Sequence, residues 1–333
     1  MKKYLLLAGL LFIGCSQKEV FVPKKVINKP LKAVTSKELQ DYTKKALTFK
    51  DLELRYVKPV NAFDDGIRGV YVFFDEKGKK LGEFKKINKD LAVDGTKMLL
   101  IKEKKVIKLP FMMVSGAKKE NIIAIVFENN AIGVYDLDKN RLIFYKEFGE
   151  AIIGKYLKAF PIFYKDLILF PLLDSNIAVY DLKANSYIRT INLADENLLS
   201  NIIFLKIVNN QLFMATPNKL VMFDPNYLID FKGNIKHIIS SNNFLYVFLV
   251  GGDVIKFDTN LKQLKKVTLP FADYFAPTVC KDKIYTVTRS GYLIEFDKDL
   301  NYKVYGGNKF NVNEPLRLIN CKIYNEDRVY FIK

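Results

Sequence analysis

Three cysteines, one histidine and a recurring set of aspartates are the groups in this chain whose type and spacing could do chemistry. Cys15 stands at the end of a short apolar run, where a thiol is available for acylation or pairing. Cys280 and Cys321 stand far from it, toward the other end of the chain. His237 has no second histidine to join it in a typical zinc site, so a core or surface role is the simpler reading. Asp64-Asp65-Gly66 pairs two carboxylates, which could serve acid–base chemistry, but a solvated turn is simpler. No G-x-S-x-G, H-E-x-x-H or phosphate-loop spacing occurs.

The aspartates carry the strongest pattern. Asp136, Asp181, Asp224, Asp258 and Asp297 each follow Tyr or Phe, and the fourth position before each is Ile, Leu or Val. Asp75, after Phe74, is an earlier copy. Asp136-Leu-Asp138-Lys-Asn140 and Asp297-Lys-Asp299-Leu-Asn301 open like a calcium loop, but they lack its glycine at the sixth position and its Glu at the twelfth. Aspartates at one repeated position are more simply turn-formers that accept hydrogen bonds from the turn backbone, and no metal site is expected.

The five aspartates recur roughly every 40 residues, a spacing that means a repeat architecture. The run before each Asp is β-branched and aromatic and reads as a strand. The third and fourth positions before Asp are both apolar and point to opposite faces, so both faces of the sheet are buried; only Lys256 and Glu295, two before Asp, turn polar. A strand precedes each anchor strand across a tight turn, as at Asn129-Asn130, Gly251-Gly252 and Ser290-Gly291. One more strand follows each Asp, and another leads into the next copy. Four strands per period predicts an all-β fold, a β-propeller of four-stranded antiparallel blades. Seven anchor strands give seven blades, with eight as the fallback if residues 47–60 form strands of their own. Two C-terminal strands, about 316–324 and 329–332, would pair with those around 70–87 to close the ring and leave no open edge.

Cys280 and Cys321 are one period apart, which would put them at like positions in adjacent blades, where Cα atoms often exceed the roughly 7 Å that a disulfide spans. Two buried free thiols are expected, with a disulfide as the alternative.

The chain has 333 residues, half of them apolar, which is ample for a core. Lys plus Arg exceeds Asp plus Glu by 53 − 36 = 17, which favours anionic surroundings. Lys2 and Lys3 precede an apolar run, Tyr4 to Ile13, too short to cross a bilayer of about 30 Å. With Gly14 and Cys15 after it, this start resembles a bacterial lipoprotein signal. That resemblance implies cleavage between Gly14 and Cys15, acylation of the Cys15 thiol and, since Ser16 rather than Asp follows, an address on the periplasmic face of the outer membrane. Residues 1–14 are then the signal, 15–50 a lipidated tether with a short helix over 36–47, and 51–333 the propeller domain. Lys18, Lys24, Lys25, Lys29 and Lys32 in the tether could lie along anionic head groups or be solvated.

The repeats resemble those of quinoprotein-type (PQQ-like) propellers, and the lipidated start narrows this to BamB-like outer-membrane lipoproteins. The resemblance covers about residues 65–333. It implies a non-catalytic scaffold for protein partners, outer-membrane β-barrel assembly components foremost. The quinoprotein repeat carries Thr-Gly and then Trp after its Asp; this chain has no Trp, so no quinone or other cofactor is expected. Export argues against nucleic acid as a partner. The alternative is an exported enzyme or saccharide-binding propeller that uses the central channel.

Overall fold

The computed structural model of the chain describes residues 19–35, 61–65, 70–74, 80–103, 105–150, 159–194, 200–224 and 228–332, with the backbone alone at 61–65, 71–74 and 80–81. Gly14, Cys15, the helix expected over 36–47, the fallback strands in 47–60 and Asp75 lie outside the described residues.

Among the described residues there are strands and no helices. The first, β1 (Lys32–Thr35), belongs to the last blade. Blade 1 holds β2 (Asn61–Asp65), β3 (Val70–Phe74), β4 (Lys80–Lys86), β5 (Leu91–Asp94), β6 (Lys97–Leu100) and β7 (Lys105–Lys108). Blade 2 holds β8 (Met113–Lys119), β9 (Ile122–Phe127), β10 (Ala131–Asp136) and β11 (Arg141–Glu147). Blade 3 holds β12 (Ile162–Tyr164), β13 (Leu167–Pro171), β14 (Asn176–Asp181) and β15 (Ser186–Asn192). Blade 4 holds β16 (Phe204–Val208), β17 (Gln211–Thr216), β18 (Lys219–Phe223) and β19 (Leu228–Lys232). Blade 5 holds β20 (Ile235–Ser241), β21 (Phe244–Leu249), β22 (Asp253–Phe257) and β23 (Gln263–Thr268). Blade 6 holds β24 (Tyr274–Cys280), β25 (Lys283–Thr288), β26 (Leu293–Phe296) and β27 (Tyr302–Tyr305). Blade 7 holds β28 (Leu316–Ile319), β29 (Lys322–Asn325) and β30 (Arg328–Phe331), with β1 against β30.

The seven blades form a propeller, and every paired strand is antiparallel to its neighbour. Six blades have four strands; blade 1 has six, because β4 joins β5 through only two residue pairs, Lys85 with Val93 and Lys86 with Ala92. The first strands face inward: β24 touches both β20 and β28 of the flanking blades. The last strands, such as β23, are exposed.

Burial explains the apolar alternation. Six hydrophobic clusters each lie between two consecutive blades, from 1–2 through 6–7. In β21, Tyr246 and Phe248 pack toward blade 6, while Leu245 and Val247 pack toward blade 4. The two polar anchor positions are used across these interfaces or within the blade. Buried Lys256 pairs with Asp299 of blade 6 at 3.2 Å and sits 4.1 Å over the Phe244 ring.

The ring closes as expected through a blade shared by strands from the two ends of the chain, but with a different N-terminal strand. Residues 316–324 are not one strand but two, β28 and β29, because Asn320 and Cys321 both take positive φ (49° and 60°) and form a two-residue hairpin turn. The strand that completes this blade is β1, not the strands around 70–87, with Lys32 opposite Phe331 and Thr35 opposite Arg328. It comes from the stretch read as tether. Its described part, residues 19–35, is a strap: Phe21 is buried, Ile27 bridges Tyr305 in parallel, and the Leu31 amide donates to Asn308. Cys280 and Cys321 are joined in a disulfide with Cα atoms 5.0 Å apart, not left as free thiols. Cys280 ends β24, and its counterpart in blade 7 is Ile319, which ends β28; Cys321 lies beyond it, in the turn, so the premise of like positions does not hold.

Gly252 shows how tightly the turns are set. Its φ is +104°, and a Cβ there would lie 1.9 Å from the Leu269 carbonyl oxygen. Neighbouring Gly251, at φ +97°, has open space around it. Gly252→Ala is expected to cost roughly 3 kcal/mol, from backbone strain and overpacking together, and Gly251→Ala roughly 1 kcal/mol. Chemical denaturation of the pair checks this; equal losses would mean that φ alone sets the cost.

Candidate functional site

The antiparallel blades give the molecule two ends. At the turn end, first strands turn into second strands and third into fourth. At the loop end, second strands turn into third, and chains cross from blade to blade.

The repeated aspartates sit at the turn end. Asp136 Oδ1 accepts the amides of Asp138 and Lys139, and Asp181 Oδ1 those of Lys183 and Ala184. Asp258 accepts from Asn260 and Lys262, and Asp297 from Asp299 and Asn301. Asn140 and Asn185 follow with φ of 49° and 50°, and accept from the hydroxyls of Tyr135 and Tyr180. Each carboxylate therefore closes its own turn. Asp224 begins a connection that continues outside the described residues. Among the described residues no three His, Cys, Asp or Glu side chains gather to hold a metal ion. Asp64 and Asp65 end β2, opposite Tyr71 and Val70, rather than standing in a loop. His237 lies on β20, with Nε2 3.1 Å from the Tyr274 carbonyl oxygen.

Glu295 is a buried carboxylate held by three donors. Lys283 Nζ donates to Oε1 at 2.6 Å, and the hydroxyls of Tyr285 and Tyr305 donate to Oε2 at 3.0 and 3.1 Å. It borders a cavity of about 440 Å³ between the strap and blades 6 and 7, walled by Leu31, Leu293 and Ile332. Burial would raise the carboxyl pKa; the three donors outweigh it and hold it below its ordinary value. Tyr305 is pushed up to about 12 by burial and by Glu295. A carboxyl with a lowered folded pKa contributes stability above its unfolded pKa and loses it as pH falls through the folded value. Glu295→Gln should therefore cost roughly 2 kcal/mol at neutral pH, by weakening charge-assisted hydrogen bonds. Its stability should converge on that of the parent once pH drops below the ordinary carboxylate range. Urea melts across that range check it, and parallel stability curves would refute it.

The loop end carries exposed aromatics. Phe111, before β8, and Phe160, before β12, are each 38% exposed. The Phe111 ring stacks on Tyr145 with centroids 5.9 Å apart and meets Phe127 edge-on at 6.3 Å. The Tyr145 hydroxyl accepts from Asn129 Nδ2 at 2.8 Å and donates to Glu147 Oε1 at 2.6 Å. Burial, and then Glu147, raise the Tyr145 pKa. Asn129 Oδ1 is buried without a hydrogen-bond partner. Blades 2 and 3 are fastened under this surface. Buried Asn130 donates to Asp174 and accepts the Leu173 amide at 2.8 Å, and Ser115 Oγ donates to the Ala159 carbonyl at 2.8 Å. The result is an aromatic step on a fixed floor, framed by the polar groups of Asn129, Tyr145 and Glu147. Sequence reasoning missed it, because Phe111 and Phe160 stand outside the repeat; an aromatic in each of two blade-crossing loops was the available signal.

No family model matches the sequence. Two curated relatives, the plasminogen-binding protein PgbB of two Helicobacter pylori strains, are 27% and 26% identical over 233 residues, 68% of this chain. The chain spans less than half the length of these relatives, 43%. Among solved structures, BamB from Moraxella catarrhalis superposes with a TM-score of 0.60 at 13% identity, covering 91% of this chain and 98% of that one. The C-terminal WD40 domain of Sif2 gives 0.56 at 12% identity, covering 79% and 89%. The chain has a BamB-like propeller fold.

Proposed function

We propose that the protein is a lipid-anchored scaffold on the periplasmic face of the outer membrane, without catalytic activity, that binds protein partners at the loop end of blades 2 and 3. The observation that carries this is the exposed Phe111 ring stacked on Tyr145, with the Asn129–Tyr145–Glu147 hydrogen bonds as its polar frame. An aromatic anchor with a polar frame is the usual core of a protein interface. The relatives bear the name of a plasminogen-binding protein, which supports a protein as the ligand. The propeller resembles BamB in solved form, which keeps β-barrel assembly components as the first partners to look for. Cys15 would hold the protein to lipid through acyl chains, each buried methylene adding about 0.8 kcal/mol.

The test is crosslinking in the native membrane followed by recovery of the protein. Phe111→Ala is expected to weaken partner recovery by about thirtyfold, the effect of an interface hot spot. Undiminished recovery would move the binding surface elsewhere. A partner set without any barrel-assembly component would remove that assignment and leave the scaffold. Cys15→Ser should release the protein from the membrane; continued tight association would rule out that thiol as the anchor.

A further inference from the structure

The strap fixes where the lipid can be. Resting on the lipid-anchor reading above, the geometry points to the strap and the outer wall of blade 6 as a surface that lies against anionic lipid head groups. Cys15 is six positions from Phe21, which is packed inside the molecule with Leu269, Ala272 and Val304. That length of chain reaches about 20 Å at most. A chain of this size folds to a diameter of about 50 Å, so the acyl chains cannot pass to the far side of the ring. They stay beside blade 6.

The residues displayed there suit a membrane surface. Val20 and Val22, on either side of buried Phe21, are 55% and 77% exposed. Two more exposed apolar side chains stand close by at the loop end. Phe271 (49%) lies between Leu269 and Ala272, and its amide donates to the Gly251 carbonyl, next to Val250 (55%). Around this patch are exposed lysines. Lys24, Lys25, Lys29 and Lys32 lie along the strap, and Lys303 and Lys309 lie on or just after β27. None of the six forms an ion pair with a described residue. The strap runs parallel to β27 where Ile27 pairs with Tyr305, which brings the lysines of the strap and of β27 to one side of the molecule. Each lysine near an anionic surface adds attraction, while the valines and Phe271 suit the boundary just beneath.

The experiment has three arms. Palmitate labelling of Cys15 in cells tests the anchor alone. In the acylated protein, a polarity-sensitive dye on Val22→Cys is compared with the same dye on Ile188→Cys, on exposed β15 across the ring. The dye at position 22 should be quenched by brominated lipid and the dye at 188 should not. Labelled Cys15 with equal quenching at both positions would overturn the surface and leave the anchor standing. The third arm needs no acyl chain. The mature chain carrying Cys15→Ser is sedimented with phosphatidylcholine vesicles with and without phosphatidylglycerol. Lys24→Glu, Lys25→Glu and Lys303→Glu together should lower binding to the anionic vesicles about tenfold or more. Lys119→Glu, Lys165→Glu and Lys281→Glu, the same charge change at the turn end, should leave it within about twofold of the parent. Equal losses from both sets, or none from the first, would refute the proposal whatever the state of Cys15.

Discussion

Replacing both Cys280 and Cys321 by alanine is expected to lower the stability of the purified protein by about 4 kcal/mol, as is reducing the native protein. The magnitude follows from the sequence separation of 41 that the bond closes. Position makes the effect visible. The bond links the end of β24 in blade 6 to the β28–β29 turn of blade 7. Blade 7 is the one whose outer strand, β1, comes from the other end of the chain. It is therefore pinned from inside by a covalent bond and from outside by the strap. Cutting the inner pin leaves blade 7 attached through β1 and through the cluster around Phe310, Ile323 and Tyr330. Denaturant melts of the oxidised, reduced and doubly substituted protein should show the first well above the other two, which should coincide. One midpoint for all three would show that the bond does not constrain the unfolded chain. The periplasmic location proposed above would keep this bond formed.

The repeat was legible because each copy states the same local physics. An aromatic before Asp, an Asn or Asn-Leu shortly after it, and apolar residues on both faces predict a hairpin whose carboxylate caps its own turn, as Asp136 and Asp297 do. Which segment closes the ring was not legible, for one reason in three forms. Periodicity compares a residue with its counterpart one period away, so for the strand that closes the ring it offered the repeat-like strands around 70–87 and passed over β1, which carries no copy of the repeat. It placed Cys321 opposite Cys280 because a separation of 41 is close to the period, though a small shift in register decides the Cα distance. It read Pro23, Pro30 and the lysines between as linker, because the segment has no period of its own. The aromatic that contradicts a linker is Phe21, and a lone aromatic among lysines announces its partner only once blade 6 is built. The same blindness hid the candidate site. Phe111 and Phe160 lie in blade crossings, where nothing repeats. Glu295 and Lys256 were visible as polar exceptions at an apolar position, but their partners, two tyrosines in the same blade and an aspartate in the next, are set by sheet register and blade stacking.

Phe21→Ala is expected to cost about 4 kcal/mol, while Phe21→Leu costs roughly 1 kcal/mol. The ring is 6% exposed and meets Tyr292 edge-on, with centroids 6.2 Å apart at 89°. Its carbonyl accepts from Ser290 Oγ at 3.1 Å, so the side chain and the backbone are held by the same turn of blade 6. Downstream, the strap is shaped by two glycines. A Cβ on Gly306 would lie 2.5 Å from Val26, and one on Gly307 2.4 Å from the Lys29 carbonyl carbon. Only a bare backbone lets the strap lie this close, and the same closeness delivers β1 to β30. Loss of the Phe21 anchor leaves Ile27 as the next fixed residue, held by hydrogen bonds to Val304 and Gly306. The tether from Cys15 then doubles in length, and its reach grows from about 20 Å to about 40 Å. One substitution should therefore move two unrelated readings: the unfolding midpoint, and the difference in lipid quenching between positions 22 and 188, which should shrink. A Phe21→Ala protein that melts like the parent would show that the strap is not part of the folded unit, and the position of the lipid beside blade 6 would fall with it.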